Sequence, residues 1–161
     1  MKRNVSLAIA CALAVGGIAA GCGGGDDNGS GGTGTSASLT KAEFIQKADQ
    51  ICAEGDNATS QQIQQQVPGV NDGQISSDDL AKVAKLAGQG VKDQITRIRA
   101  LGVPAGDEGT VNSFLDAADT GADEIISNPD SLQGSNGVPN PNIAKANQEA
   151  KAYGLKVCGQ S

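Results

Sequence analysis

The chain has no histidine and no tryptophan, and only one tyrosine and two phenylalanines among 161 residues. Histidine is the side chain whose ordinary pKa lies nearest neutrality, so the commonest general acid–base and the commonest metal ligand are both missing. Aromatics at 2% of the chain argue against an aromatic-lined ligand pocket. No Gly-x-Ser-x-Gly elbow occurs, so nucleophilic catalysis has little to work with and an enzyme is not expected. Basic residues are outnumbered, 12 against 18, for a formal net charge of −6. Such a chain is a poor nucleic-acid binder unless it concentrates a basic patch. Long apolar runs are also scarce. The longest spans residues 5–20, VSLAIACALAVGGIAA, just after Lys2 and Arg3.

That run is shorter than the roughly 20 apolar residues a membrane-spanning helix needs. A basic start, a short apolar core and small residues at its end describe a secretory signal peptide over residues 1–21. The alternative is a short anchor that stays uncleaved. Removing Lys2 and Arg3 with a leader leaves a mature net charge of −8.

The small residues stop at a cysteine: Ile18, Ala19, Ala20, Gly21, Cys22. This resembles the lipobox of bacterial lipoproteins, in which aliphatic and small residues precede a cysteine. It departs from the commonest pattern in having Ala19, not leucine, three places before the cysteine. The resemblance implies that Cys22 is diacylglycerylated, acylated with chains such as palmitate, and becomes the new N-terminus. The protein would then sit on the extracytoplasmic face of a cell membrane, held by lipid. Two or more acyl chains anchor stably where one is marginal.

Residues 22–38 continue as CGGGDDNGSGGTGTSAS. They have almost nothing apolar to bury, so ordering them has no compensation, and a disordered linker is expected. A Gly/Ser-rich tract of this length has an r.m.s. span of roughly 22 Å. Cys11 leaves with the leader and Cys22 carries lipid, so Cys52 and Cys158 remain as an even pair in an oxidising compartment. The default expectation is one disulfide; two buried free thiols are the alternative. Two cysteines without histidine make a poor metal site, so neither metal nor cofactor is expected.

Residues 39–161 are left as one small domain, and their periodicity is helical. Thr40 caps a first helix, Glu43 closes a capping box, and Leu39 can staple onto Phe44. Phe44, Ile45, Ala48, Ile51 and Cys52 form its stripe, Gly55 weakens its middle, and Pro68 with Gly69 ends it. A second start lies at Ser76, Ser77, Asp78 and Asp79. Leu80, Ala84, Ala87, Val91, Ile95, Ile98 and Leu101 then mark one face until Gly102 and Pro104. A third helix is expected from about Asp107 to Ser127, and a fourth from Pro141 to about Tyr153, capped by Asn140. Short connections favour an all-α, antiparallel four-helix bundle closed by the disulfide. A three-helix bundle with the last segment across it, or a pair of helical hairpins, are the alternatives.

Two further segments, LTKAEFIQKADQICAEGD with Cys52 and AKAYGLKVCG with Cys158, are similar to a group of small exported lipoproteins of high-GC Gram-positive bacteria. That resemblance implies a helical, disulfide-closed envelope protein, and it carries over no activity.

Several motifs are weaker than they look. Asp72, Gly73 and Ile75 match half of an EF-hand loop, but its first and third positions fall on Pro68 and Val70, which offer no side-chain oxygen. The acidic pairs Asp78–Asp79 and Asp107–Glu108 sit in first helical turns, where acids favour the macrodipole. Asp123–Glu124 reads as a solvated face. Lys82, Lys85, Lys92 and Arg99 line the wet side of the second helix, a surface that could touch anionic lipid or wall polymer. The leading functional expectation is a non-enzymatic interaction module that offers a helix face to another envelope protein. The alternative is a binder of a small molecule or ion, accessory to transport, with its cavity between helices.

Overall fold

The computed structural model describes residues 39–72, 75–132 and 140–160. The leader expected over 1–21, the anchor Cys22 and the rest of the linker 22–38 lie outside them. So do residues 133–139, before Asn140.

Four helices follow one another: α1 (Lys41–Gln66), α2 (Ser77–Ala100), α3 (Glu108–Ser127) and α4 (Pro141–Tyr153). Short 3₁₀ turns at Pro68–Asp72 and Pro129–Leu132 follow α1 and α3. The starts are chemically specified. Thr40 Oγ1 accepts from the Glu43 N–H while Glu43 Oε2 accepts from the Thr40 N–H at 2.9 Å, a complete capping box. Ser76 caps α2 through the Asp79 N–H, and Asn140 Oδ1 accepts from the N–H groups of Asn142 and Ile143 beside Pro141. Gly102 and Gly154 take positive φ values of 75° and 120° just past α2 and at the end of α4, conformations that suit glycine.

The bundle is antiparallel. Arg97 of α2 meets Glu54 of α1 at 2.6 Å, whereas the earlier Gly90 lies against the later Thr59. Arg99 meets Asp116 of α3, and the earlier Lys92 meets Asp119 and Asp123. Ile143 of α4 abuts Gly121, while Tyr153 returns to Asp107. Glycine governs two of these approaches. A Cβ on Gly88 would come within 2.5 Å of Ile126, and one on Gly121 within 3.0 Å of the Ile143 backbone nitrogen.

The core gathers Phe44, Ala48, Ile51 and Cys52 of α1 with Ile95 and Ile98 of α2 and Val111, Phe114 and Leu115 of α3. Ala150, Tyr153 and Leu155 complete it. At half the length of α1, α4 does not pack along it. The tail closes that seam instead. Cys158 is bridged to Cys52 with Cα atoms 5.3 Å apart, 106 residues on in the chain. Beside the bridge, the Asp49 carboxylate accepts from the N–H groups of Lys156, Val157 and Cys158 at 2.8–3.2 Å. Three successive N–H groups turned on one carboxylate form a small anion nest, here filled by the protein's own side chain. Among the described residues, no helix is long and apolar enough to cross a membrane.

Candidate functional site

Because the tail rather than a fourth full-length helix closes the α1 side, the centre of the bundle is incompletely filled. An apolar cavity of about 230 Å³ lies there. From α2 it is walled by Val91, Gln94, Ile95 and Ile98, and from α3 by Phe114, Leu115, Ala118 and Ile125. Ile143, Ala146, Asn147 and Ala150 of α4 face them, with Leu132 beyond the end of α3. The bridge itself, Cys52 and Cys158, forms part of the wall. Among the described residues, none that lines the cavity is charged. Three alanines stand where larger side chains would fill the space.

Gln94 is one of two amides in this wall and is almost completely buried. Its Nε2 donates to Asp56 Oδ1 at 3.0 Å, and its side chain occupies the space that a Cβ on Gly55 would need. Gly55 therefore admits Gln94 to the α1–α2 interface. The sequence signal was a glycine in mid-helix, which reads as a weakness until its partner is known.

A second concavity, a groove of about 510 Å³, lies at the other end of the α3–α4 pair. Lys41, Asp107, Thr110, Ser113, Glu149 and Tyr153 line it; Lys41, Asp107 and Tyr153 engage one another, while Glu149 Oε2 is buried without a hydrogen-bond partner. Lys41 Nζ lies 4.0 Å over the Tyr153 ring, a cation–π contact. The Tyr153 hydroxyl donates to Asp107 Oδ2 at 2.6 Å. Burial first, and then this bond to Asp107 and its charge, push the phenol above its ordinary value of 10.0. Glu149 pairs with Lys145 at 3.0 Å, and its carboxyl is held below the ordinary value of 4.5 by hydrogen bonding to Ser113 and then to Lys145. Lys41 also ends a Ser-x-x-Lys spacing whose serine, Ser38, lies outside the described residues.

The other residues singled out by the sequence fall into structural roles. Asp79 bonds its own cap, Ser76, and Lys82. Asp107 binds Tyr153 and makes no cap hydrogen bond of its own. Asp123 is not simply solvated, since it shares Lys92 with Asp119. Glu124 accepts from Asn140 and Asn142, both at 2.9 Å, which ties α3 to the start of α4. Asn142 and then Asn140 hold its carboxyl below the ordinary value of 4.5. Three cations of the expected basic face are thus matched to acids: Lys82, Lys92 and Arg99. Among the described residues, no group of three potential metal ligands comes together. Compared with protein-family models, curated proteins and solved structures, the chain has no match in any of the three.

Proposed function

We propose that this chain is a lipid-anchored protein of the bacterial envelope, tethered through Cys22 to the extracytoplasmic face of the membrane. Its helical domain binds a small molecule in the cavity between α2, α3 and α4, as a non-enzymatic accessory to transport. The cavity is the observation that carries this reading. Protein interiors are packed about as tightly as organic crystals. A concavity of about 230 Å³ walled by aliphatic side chains leaves dispersion contacts unmade on its inner face. A ligand that fills the space restores those contacts. The Gly/Ser-rich composition of the tract after Cys22 supports the tether, because such a sequence suits a spacer between acyl chains and a folded domain.

Two measurements test this. Azido-fatty-acid labelling should mark the wild type and not Cys22→Ala, and membrane fractionation should follow the label. For binding, the chain from position 22 with Cys22→Ser needs no detergent, and its melting should rise saturably with one class of solute. Binding to the native state alone raises stability by about 2.7 kcal/mol at a hundred times Kd. A panel of metabolites, ions and apolar solutes that leaves melting unchanged contradicts the binding role.

A specific observation favours a second reading, the protein-interaction module. No residue of α1 beyond Gly55 is buried, and α3 ends level with Gly88. The far half of the α1–α2 hairpin therefore carries half-exposed Ile63, Val70, Leu80, Val83 and Leu86. On this reading, crosslinking in the native host recovers one specific envelope protein, and Leu80→Glu with Val83→Glu abolishes its recovery.

A further inference from the structure

We infer that the cavity selects an uncharged, almost wholly hydrocarbon molecule of about one ring in size, with at most one hydrogen-bonding group. This rests on the reading of the cavity as a binding site and adds its chemical class.

Charge is decided by what the wall lacks. Among the described residues that line the cavity there is no Asp, Glu, Lys or Arg. Asp56, which is tied to the wall through Gln94, already accepts from its amide. Asp49, beside the bridge, is occupied by three tail N–H groups. An ion entering the cavity would lose its hydration and find no counter-charge, a penalty of several kcal/mol even after relaxation. A neutral hydrocarbon loses no such hydration and gains the dispersion contacts that the empty wall forgoes.

Size is decided by the volume. An engineered apolar cavity of 150 Å³ admits benzene. Pockets for drug-sized ligands run from roughly 300 Å³ upwards. At about 230 Å³ this cavity lies between, room for one ring with a short alkyl substituent. A doubled ring system such as biphenyl exceeds it. Among the described lining residues only Gln94 of α2 and Asn147 of α4, on facing walls, carry an amide, so a polar group on the ligand has to lie at one of these two points.

The test is an isosteric series read by calorimetry and thermal melting, using the chain from position 22 with Cys22→Ser. Toluene, benzyl alcohol, benzoate and benzylammonium share a ring and differ in charge; p-cymene and biphenyl extend the size. Toluene, p-cymene and benzyl alcohol are expected to bind at least about a hundredfold more tightly than either ion, and biphenyl to be excluded. Ala118→Leu and Ala146→Leu each project a larger side chain into the space. In either variant the helical spectrum should persist while the toluene-induced shift is lost; one folded variant suffices. Benzoate or benzylammonium binding as tightly as toluene overturns the chemical class and leaves the cavity's binding role standing. Toluene binding undiminished in a folded filling variant overturns the site. No shift with any member, alongside a saturable shift with some other solute, overturns the class; no shift with any solute overturns the binding role as well.

Discussion

The hydroxyl of Tyr153 donates to Asp107 across 2.6 Å, tying the end of α4 to the residue that precedes α3. Around this bond the ring of Tyr153 meets Phe44 edge-on at 6.1 Å and Phe114 at 5.9 Å. The chain's three aromatic residues thus form one cluster, which joins α1, α3 and α4 at the end of the bundle where the tail turns back. With so few aromatic rings, concentrating them at this one junction leaves Phe114 as the one aromatic residue among the described residues of the cavity wall, which is otherwise mainly aliphatic.

Replacing Tyr153 with Phe keeps the ring and removes the bond, leaving the Asp107 carboxylate with one partner fewer. A loss of about 1.5 kcal/mol is expected from urea unfolding, typical of a hydrogen bond to a charged group. The phenol is pushed above its ordinary value in the folded state, so its contribution is fully present below about pH 10 and lost as pH rises beyond it. Tyr153→Phe should therefore flatten part of the alkaline decline. The remainder includes Lys92, whose pKa is raised by its bonds to Asp123 and Asp119.

Asp49 and the disulfide secure the same tail from two sides. Asp49→Ala strands three N–H groups and is expected to cost about 2–3 kcal/mol in the oxidised protein. Replacing both Cys52 and Cys158 with Ala removes a constraint on a loop of about a hundred residues, worth about 4.7 kcal/mol in the chain-entropy model. Once the bridge is gone the tail detaches more easily, so the combined variant should lose less than the sum. Urea-unfolding free energies for the cycle give the coupling directly; strict additivity contradicts the shared role.

Much of this architecture is legible in the chain. The caps at Thr40, Ser76 and Asn140 and the apolar stripes follow local rules, so four helices and their order can be read from spacing. The Cys52–Cys158 pair follows once Cys11 and Cys22 are set aside as expected parts of a leader and an anchor, which leaves two of the four cysteines. What is not legible depends on pairs far apart in sequence. Gly55 reads as a helix weakness and becomes the seat of Gln94, while Asp123 and Glu124 read as solvated and become ties to α2 and α4. Nor does any local signal mark Asp49 as the acceptor for the tail. The cavity has no motif at all, because it exists only where three stripes fail to meet.

Two glycines separate helix propensity from close packing. Gly109, in the first turn of α3, has open space where a Cβ would go, so Gly109→Ala should stabilise by up to about 1 kcal/mol. Gly88 faces Ile126 at 2.5 Å and the Ala122 carbonyl oxygen at 2.9 Å from the same position. There the backbone must move, and Gly88→Ala should destabilise by about 1–3 kcal/mol despite its better propensity. Melting temperatures of the two variants should shift in opposite directions.

On the acid side, hydrogen bonds hold several carboxyls below their ordinary values: Glu43 through Thr40, Glu54 through Arg97, Asp79 through Ser76, and Glu124 through Asn142 and Asn140. A depressed folded-state value means stability present above the unfolded value, near 4.5 for glutamate, and lost as pH falls through the folded one. With no histidine in the chain, urea midpoints should be flat between about pH 6 and 8 and decline only below about pH 4.5. Glu124→Gln should weaken that acid decline.

The most direct test of the account is a methyl NMR titration of the chain from position 22, carrying Cys22→Ser, with toluene. Occupancy of the cavity predicts saturable shifts at the methyl groups of Val91, Ile95, Ile98, Leu115, Ile125 and Ile143, with those of Ile63 and Leu80 on the far half of the hairpin unmoved. Shifts at Ile63 and Leu80 with a silent cavity, or no saturable shift anywhere, would contradict it.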